Sequence, residues 1–197
     1  MIMHIKSVFT FAGTAAAGLS LCVGAWAETA PRIESFEAST GPQMENFNLL
    51  EGVWSVESHS LKNRMADEEV WLENHMETTY RILLDGLIAI NDTYGTFNDR
   101  PMHGIMMRAY DPDKDEWQFH WMSKGYPHLT EQVRGRFENG VGVFYGVETN
   151  QGREFRMRFR WKMIADDHAF WEQAYEDPET GAWQVNWTLG LRRKYQE

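Results

Sequence analysis

The chain has 197 residues, of which 43% are apolar, 24% charged and 14% aromatic. That composition suits one folded domain with a sizeable core and excludes both a disordered chain and an integral membrane protein. With 19 basic against 29 acidic residues and a net charge of −10, the chain repels polyanions, so nucleic acid and anionic membrane surfaces are excluded as general partners.

Residues 1–27 read as a secretory signal peptide. Lys6 is its positive end, Ser7 to Gly24 carries no charge, and Ala25-Trp26-Ala27 is a small-x-small cleavage site before Glu28. The expected product is periplasmic or secreted, with no membrane span in the mature chain. An uncleaved anchor is the alternative, but a run of about 18 residues is barely long enough to span, and Gly13, Thr14, Gly18 and Ser20 dilute it. A lipoprotein attached at Cys22 would want a small residue where Leu21 stands. Cys22 is the one cysteine, so cleavage after Ala27 leaves no disulfide, thiolate nucleophile or cysteine metal site.

Residues 28–41 are polar, carry Pro31 and read as a flexible N-terminal segment ahead of a domain over 42–197. Pro42 to Leu50 predicts a short helix: Thr40 suits the N-cap, Gly52 the stop, and Met44, Phe47 and Leu50 share a face. From Val53 the hydrophobic period changes to two. Strands are expected at Val53–Ser60, Val70–Leu84 (one long run or two short), Leu87–Thr93, Gly104–Tyr110, Glu116–Ser123, Thr130–Phe137, Val141–Thr149, Arg153–Ile164, His168–Tyr175 and Trp183–Tyr195. Phe97–Pro101 is expected as a turn and Lys124–Leu129 as a loop. Asn139-Gly140 and Asp85-Gly86 are hairpin signals. The fold class is therefore all-β: an antiparallel up-and-down barrel of about 8–10 strands with a short N-terminal helix, closed so that no edge is exposed. Eight strands leave room for one small ligand, and ten leave more.

The strand faces are informative. Over Arg153–Met163, Phe155, Met157, Phe159, Trp161 and Met163 alternate with Glu154, Arg156, Arg158, Arg160 and Lys162. One face is apolar and the other is a solvated outer face or an anion-binding stripe, the former favoured. Trp117, Phe119 and Trp121 share one face of their strand, opposite Gln118, His120 and Met122. Trp183, Val185, Trp187, Leu189 and Leu191 share a face that Arg193 continues. These rings suit both barrel filling and a cavity lining.

A short helix running into Gly52-Val53-Trp54, and Arg192-Arg193 at the end of the last strand, resemble the calycins, the lipocalin-like β-barrels. The resemblance implies that Trp54 is covered by Arg193 or Arg192, a guanidinium over an indole. Tyr110-Asp111 closing a central strand and the Trp-rich strand Trp117–Trp121 complete a layout similar to a family of uncharacterised bacterial calycin-like proteins, over about Asn46 to Tyr195. That family implies a fold and a cavity and fixes no activity. Nitrobindin-like haem barrels are distantly similar and hold haem through one His. The chain lacks the glycine-rich extension of their G-x-W region, and no His is placed as their ligand, so haem is disfavoured and no cofactor is expected.

The chemistry candidates follow. The mature histidines are His59, His75, His103, His120, His128 and His168. They form no H-x-H or H-E-x-x-H pattern, so no sequence-local metal site exists; convergence of distant residues on a metal stays open. His120, mid-strand, and Glu172 are the acid/base candidates. Glu77 with Glu172 is a possible carboxylate pair. His128, with Tyr126, falls in the expected 124–129 loop, where it would sit at a barrel mouth. The leading expectation is an exported barrel that binds a small, mostly apolar or aromatic ligand. Trp117, Phe119, Trp121, Trp161 and Trp187 line it, and Tyr126, His128 and His120 make polar contacts. Gly52, Trp54, Arg192 and Arg193 are the structural set. The alternatives are an isomerase, cyclase or lyase on the same barrel, and a homo-oligomeric assembly module.

Overall fold

The computed structural model describes residues 45–66 and 69–194. The expected signal peptide and flexible segment lie outside the described residues, as do positions 42–44 of the expected helix. The expected helix over 42–50 is not shown: the described residues contain a single helical turn, α1 (Glu45–Asn48), followed by a turn through Leu49 and Leu50.

Ten strands follow: β1 (Gly52–Leu61), β2 (Trp71–Leu83), β3 (Ile88–Phe97), β4 (Arg100–Asp111), β5 (Glu116–Ser123), β6 (Tyr126–Glu138), β7 (Val141–Asn150), β8 (Arg153–Ala165), β9 (His168–Glu176) and β10 (Trp183–Lys194). Each pairs antiparallel with the next, and β1 also pairs with β10, from Val53 opposite Lys194 to Ser60 opposite Trp187, so the sheet closes into a barrel. Closure removes the free edges that a ten-stranded meander would otherwise present.

Tight turns make the meander possible. Asn98-Asp99, Asn139-Gly140 and Gln151-Gly152 each hold both residues at positive φ, between 50° and 80°. Those dihedrals match the right-handed twist of the flanking strands. The expected loop at Lys124–Leu129 contracts to the two residues Lys124-Gly125, and β6 begins at Tyr126. The reason is local: the Lys124 N–H donates to the His103 carbonyl at 3.0 Å, which anchors the β5 exit on β4 and leaves the next residues free to pair.

The base of the barrel lies at the start of β1 and the end of β10. The Arg193 guanidinium stands 4.2 Å from the centre of the Trp54 ring. Its Nε donates to the Asp166 carbonyl at 3.0 Å, and its two Nη groups donate to the carbonyls of Glu51 and Leu49. Trp54 is fully buried, and its indole N–H donates to the Leu50 carbonyl at 2.7 Å. Gly52 has φ +119°, and a Cβ there would meet Arg193 Nη1 at 3.0 Å, so glycine fits this corner on two counts. Arg192, its neighbour, is exposed on the outer face.

Phe47, from α1, plugs the barrel just above this corner. Its ring meets Trp117 at 4.9 Å, Phe137 at 5.0 Å and Phe119 at 5.6 Å, all edge-on, the geometry aromatic rings favour. Arg193→Ala removes one cation–π contact and three charged donors from the base. It is expected to lower stability by about 2 kcal/mol, a fall of roughly 4–8 °C in Tm by calorimetry. Arg193→Lys should recover little of this, because an ammonium cannot span three carbonyls from one plane.

Candidate functional site

Above the Phe47 plug the interior is not filled. It holds a cavity of about 320 Å³, at the small end of the range for ligand pockets. Two walls of different chemistry enclose it. One is apolar: Phe119 and Trp121 from β5, Phe159 and Trp161 from β8, Trp171 from β9, and Trp187, Leu189 and Leu191 from β10, with Met76, Met102 and Met106 opposite. The other is polar: Thr78 and Tyr80 from β2, Asn91 and Thr93 from β3, and Arg108 from β4.

Local sequence sets the ring positions. A Cβ at Gly104 would fall 2.3 Å from the Trp121 ring, so the bare glycine is what lets this indole lie across β4. A bulge in β10 between Val185 and Trp187 resets the parity there and turns Trp187 inward. Its indole N–H donates to Ser58 Oγ at 2.8 Å, and its ring stands edge-on to Trp171 at 5.2 Å.

Arg108 is 3% exposed. Its Nη1 donates to Asn91 Oδ1 at 2.6 Å. Asn91 is itself fixed, donating from Nδ2 to Thr78 Oγ1 at 3.1 Å and Thr93 Oγ1 at 2.8 Å. Four rings surround the guanidinium at 5.1–5.3 Å: Phe47, Tyr80, Phe119 and Trp161. Burial lowers the Arg108 pKa from its usual value, against which only the Tyr80 hydroxyl pulls; burial in turn raises that of Tyr80. Among the described residues no carboxylate pairs with Arg108. An arginine remains charged in such a place, so the cavity holds an uncompensated cation.

The far end of the cavity is electrically paired. Arg64, in the segment between β1 and β2, donates to the Tyr175 hydroxyl at 2.5 Å and stands 3.5 Å from Glu148 Oε1. Tyr175 donates to Glu148 Oε2 at 2.6 Å. Burial raises the Tyr175 pKa well above the ordinary phenol range; Arg64 opposes this and Glu148 adds to it. The phenol therefore keeps its proton and stays a donor to Glu148.

The sequence-derived candidates separate into two groups. Phe119, Trp121, Trp161 and Trp187 line the cavity. Trp117 does not: it is fully buried at the base, against Phe47 and, at 5.3 Å, Tyr110. Tyr126 and His128 lie on β6 rather than on a loop, exposed, with their rings 4.8 Å apart. His120 and Glu172 occupy the outer face, because their strands put Phe119, Trp121, Trp171 and Gln173 inward. Glu172 is held there by Arg160 at 3.0 Å and Arg158 at 3.7 Å. The cationic stripe of β8 thus meets carboxylates of β9, Arg156 reaching Glu176 at 3.0 Å. Glu77 is also outside, bonded to Tyr94 and Lys194, three strand steps from Glu172. None of the described histidines lines the cavity. Among the described residues no group of three or more His, Cys, Asp or Glu side chains is placed to hold a metal.

Sequence reading missed Arg108, Asn91, Glu148 and Arg64. The signal for Arg108 was its parity with Met102, Met106 and Tyr110, but Met107 on the opposite face made the two faces of β4 look alike.

Residues 39–193 match the family described as "Protein of unknown function (DUF1579)". The match spans most of the sequence, and the chain belongs to that family. No curated protein matches it. Among solved structures, the S-type phycobiliprotein lyase CPES from Guillardia theta is similar with TM-score 0.52 and 11% identity, over 78% of this chain and 93% of that one. The structure of EF1p2_mFAP2b bound to DFHBI gives TM-score 0.40 and 13% identity, over 77% of this chain and 99% of that one. A protein of unknown function of the DUF3598 family from Nostoc punctiforme gives 0.41 and 12%, over 79% and 50%. At these identities the first likeness concerns the fold alone.

A buried cation without a carboxylate is a cost to the ligand-free protein. Arg108→Met fills similar volume without charge. Its expected effect on the ligand-free protein is no loss of stability, or a gain of up to about 2 kcal/mol in urea unfolding. A loss of similar size would make Arg108 a scaffold residue instead.

Proposed function

We propose that this member of the DUF1579 family is an exported binding protein that holds one small, mostly apolar or aromatic molecule inside its barrel. The observation that carries the reading is the cavity of about 320 Å³ between an aromatic wall and a polar one. Rings and methionines supply non-directional burial worth about 25 cal/mol per Å², and Met76, Met102 and Met106 supply adaptable surface. A few convergent polar groups then fix orientation. A binding role is favoured over catalysis because His120 and Glu172, the acid/base candidates, face away from the cavity.

A neutral, environment-sensitive probe such as N-phenylnaphthylamine tests the reading. Saturable binding with a micromolar Kd is expected, with quenching of the lining tryptophans. Met106→Trp should weaken it at least about tenfold, a large ring replacing a flexible chain in the void, at unchanged Tm. Absence of saturable binding, or equal affinity in the filled variant, would count against an interior site.

Export is part of the proposal. Cleavage after Ala27 predicts a mature N-terminus at Glu28, read directly by intact mass on protein recovered from a periplasmic extract. A full-length mass there would overturn it.

A further inference from the structure

The cavity lining contains two N–H donors with nothing to donate to. Arg108 Nε and Trp161 Nε1 are both fully enclosed and have no hydrogen-bond partner. Both side chains line the cavity, and each residue is only 3% exposed. The centre of the guanidinium lies 5.2 Å from the Trp161 ring, so the two side chains share one neighbourhood. Buried polar groups in folded proteins are nearly always paired, and an exception calls for an explanation.

The lining holds a buried cation with no carboxylate partner among the described residues, and its Nε has no acceptor. The missing group is therefore an acceptor that carries negative charge. The Arg108 contacts within the protein are neutral: Asn91, Tyr80 and the rings around it. Asn91, itself held by Thr78 and Thr93, fixes the guanidinium through Nη1.

We propose that the interior ligand is a monocarboxylate with an apolar or aromatic body, its carboxylate paired with the Arg108 guanidinium and its body against the β5, β8 and β10 rings. This rests on the interior-binding reading above. A carboxylate matches the planar fork of an arginine. A neutral polar group would leave the cation uncompensated. A phosphate dianion would need a second cation, and Arg64, the other basic residue of the lining, is bonded to Glu148 and Tyr175 at the far end.

The test is a matched pair of ligands, decanoate and decanol, titrated calorimetrically into the purified protein at physiological ionic strength. Decanoate is expected to bind at least about tenfold more tightly, as suits a charged hydrogen bond in a dry site. Arg108→Met should abolish that difference. Arg108→Gln also removes the charge while keeping an amide donor for Asn91; it should likewise abolish the preference, and it carries the test if Arg108→Met fails to fold. Equal affinity for acid and alcohol, or a preference that survives both variants, overturns the carboxylate assignment while the interior site stands. Failure of decanoate, decanol and the neutral naphthylamine alike removes the interior site and this assignment with it.

Discussion

The structure depends on a barrel closed at one end by a single corner. Arg193 covers Trp54 and ties together the carbonyls of Leu49, Glu51 and Asp166. That set joins the entry to β1, the β8–β9 turn and the exit of β10, so three separate parts of the chain converge on one planar cation. A ten-stranded barrel is wide enough to leave its centre empty. Phe47, seated on this corner, brings a ring to the axis and lets Trp117, Phe119, Phe137 and Phe144 pack around it. Space near the base is therefore occupied, and the remaining volume is displaced toward the other end.

The same ring that finishes the base begins the site. Phe47 is one of four aromatics around Arg108, so the plug and the polar wall meet at one residue. The base donates the rigidity that a buried cation requires. A guanidinium free to move would swing to water, whereas here Asn91, Tyr80 and the rings hold it. Locally unfavourable groups of this kind persist when the scaffold around them over-determines the geometry.

Much of the barrel was legible from alternation, because each strand must put one face into the core and the period of two survives turns. The turn chemistry was legible too, since Asn139-Gly140 has the residues that a positive-φ pair favours. Trp161 and Phe119 were placed by parity alone. The errors have equally local causes. Trp117 has the parity of its neighbours but lies nearer the base, and parity says nothing about height along the axis. Gly125 and Pro127 suggest irregular backbone and so point to a loop at His128, yet a two-residue turn suffices. Arg108 was passed over because a basic residue in a strand is usually outward, and its two methionine neighbours, Met106 and Met107, hide which face is which. Its partner Asn91 lies on another strand, and no sequence spacing reveals that register.

The charge arrangement gives the cavity a direction. At the far end, Arg64 and Glu148 neutralise one another through Tyr175. At the inner end, Arg108 has rings and an amide but no counter-charge among the described residues. In a low-dielectric interior an uncompensated charge acts over a longer reach than one in water, and converging low-dielectric walls concentrate its field. From the Arg64 end inward the cavity therefore runs from a locally neutral pair to a positive centre. The protein as a whole is strongly acidic, with a net charge of −10, and repels anions at its surface. Exposed charges are screened within about 8–10 Å at ordinary ionic strength, and buried ones much less. The outer acidity therefore fades with distance and salt while the Arg108 field persists inside.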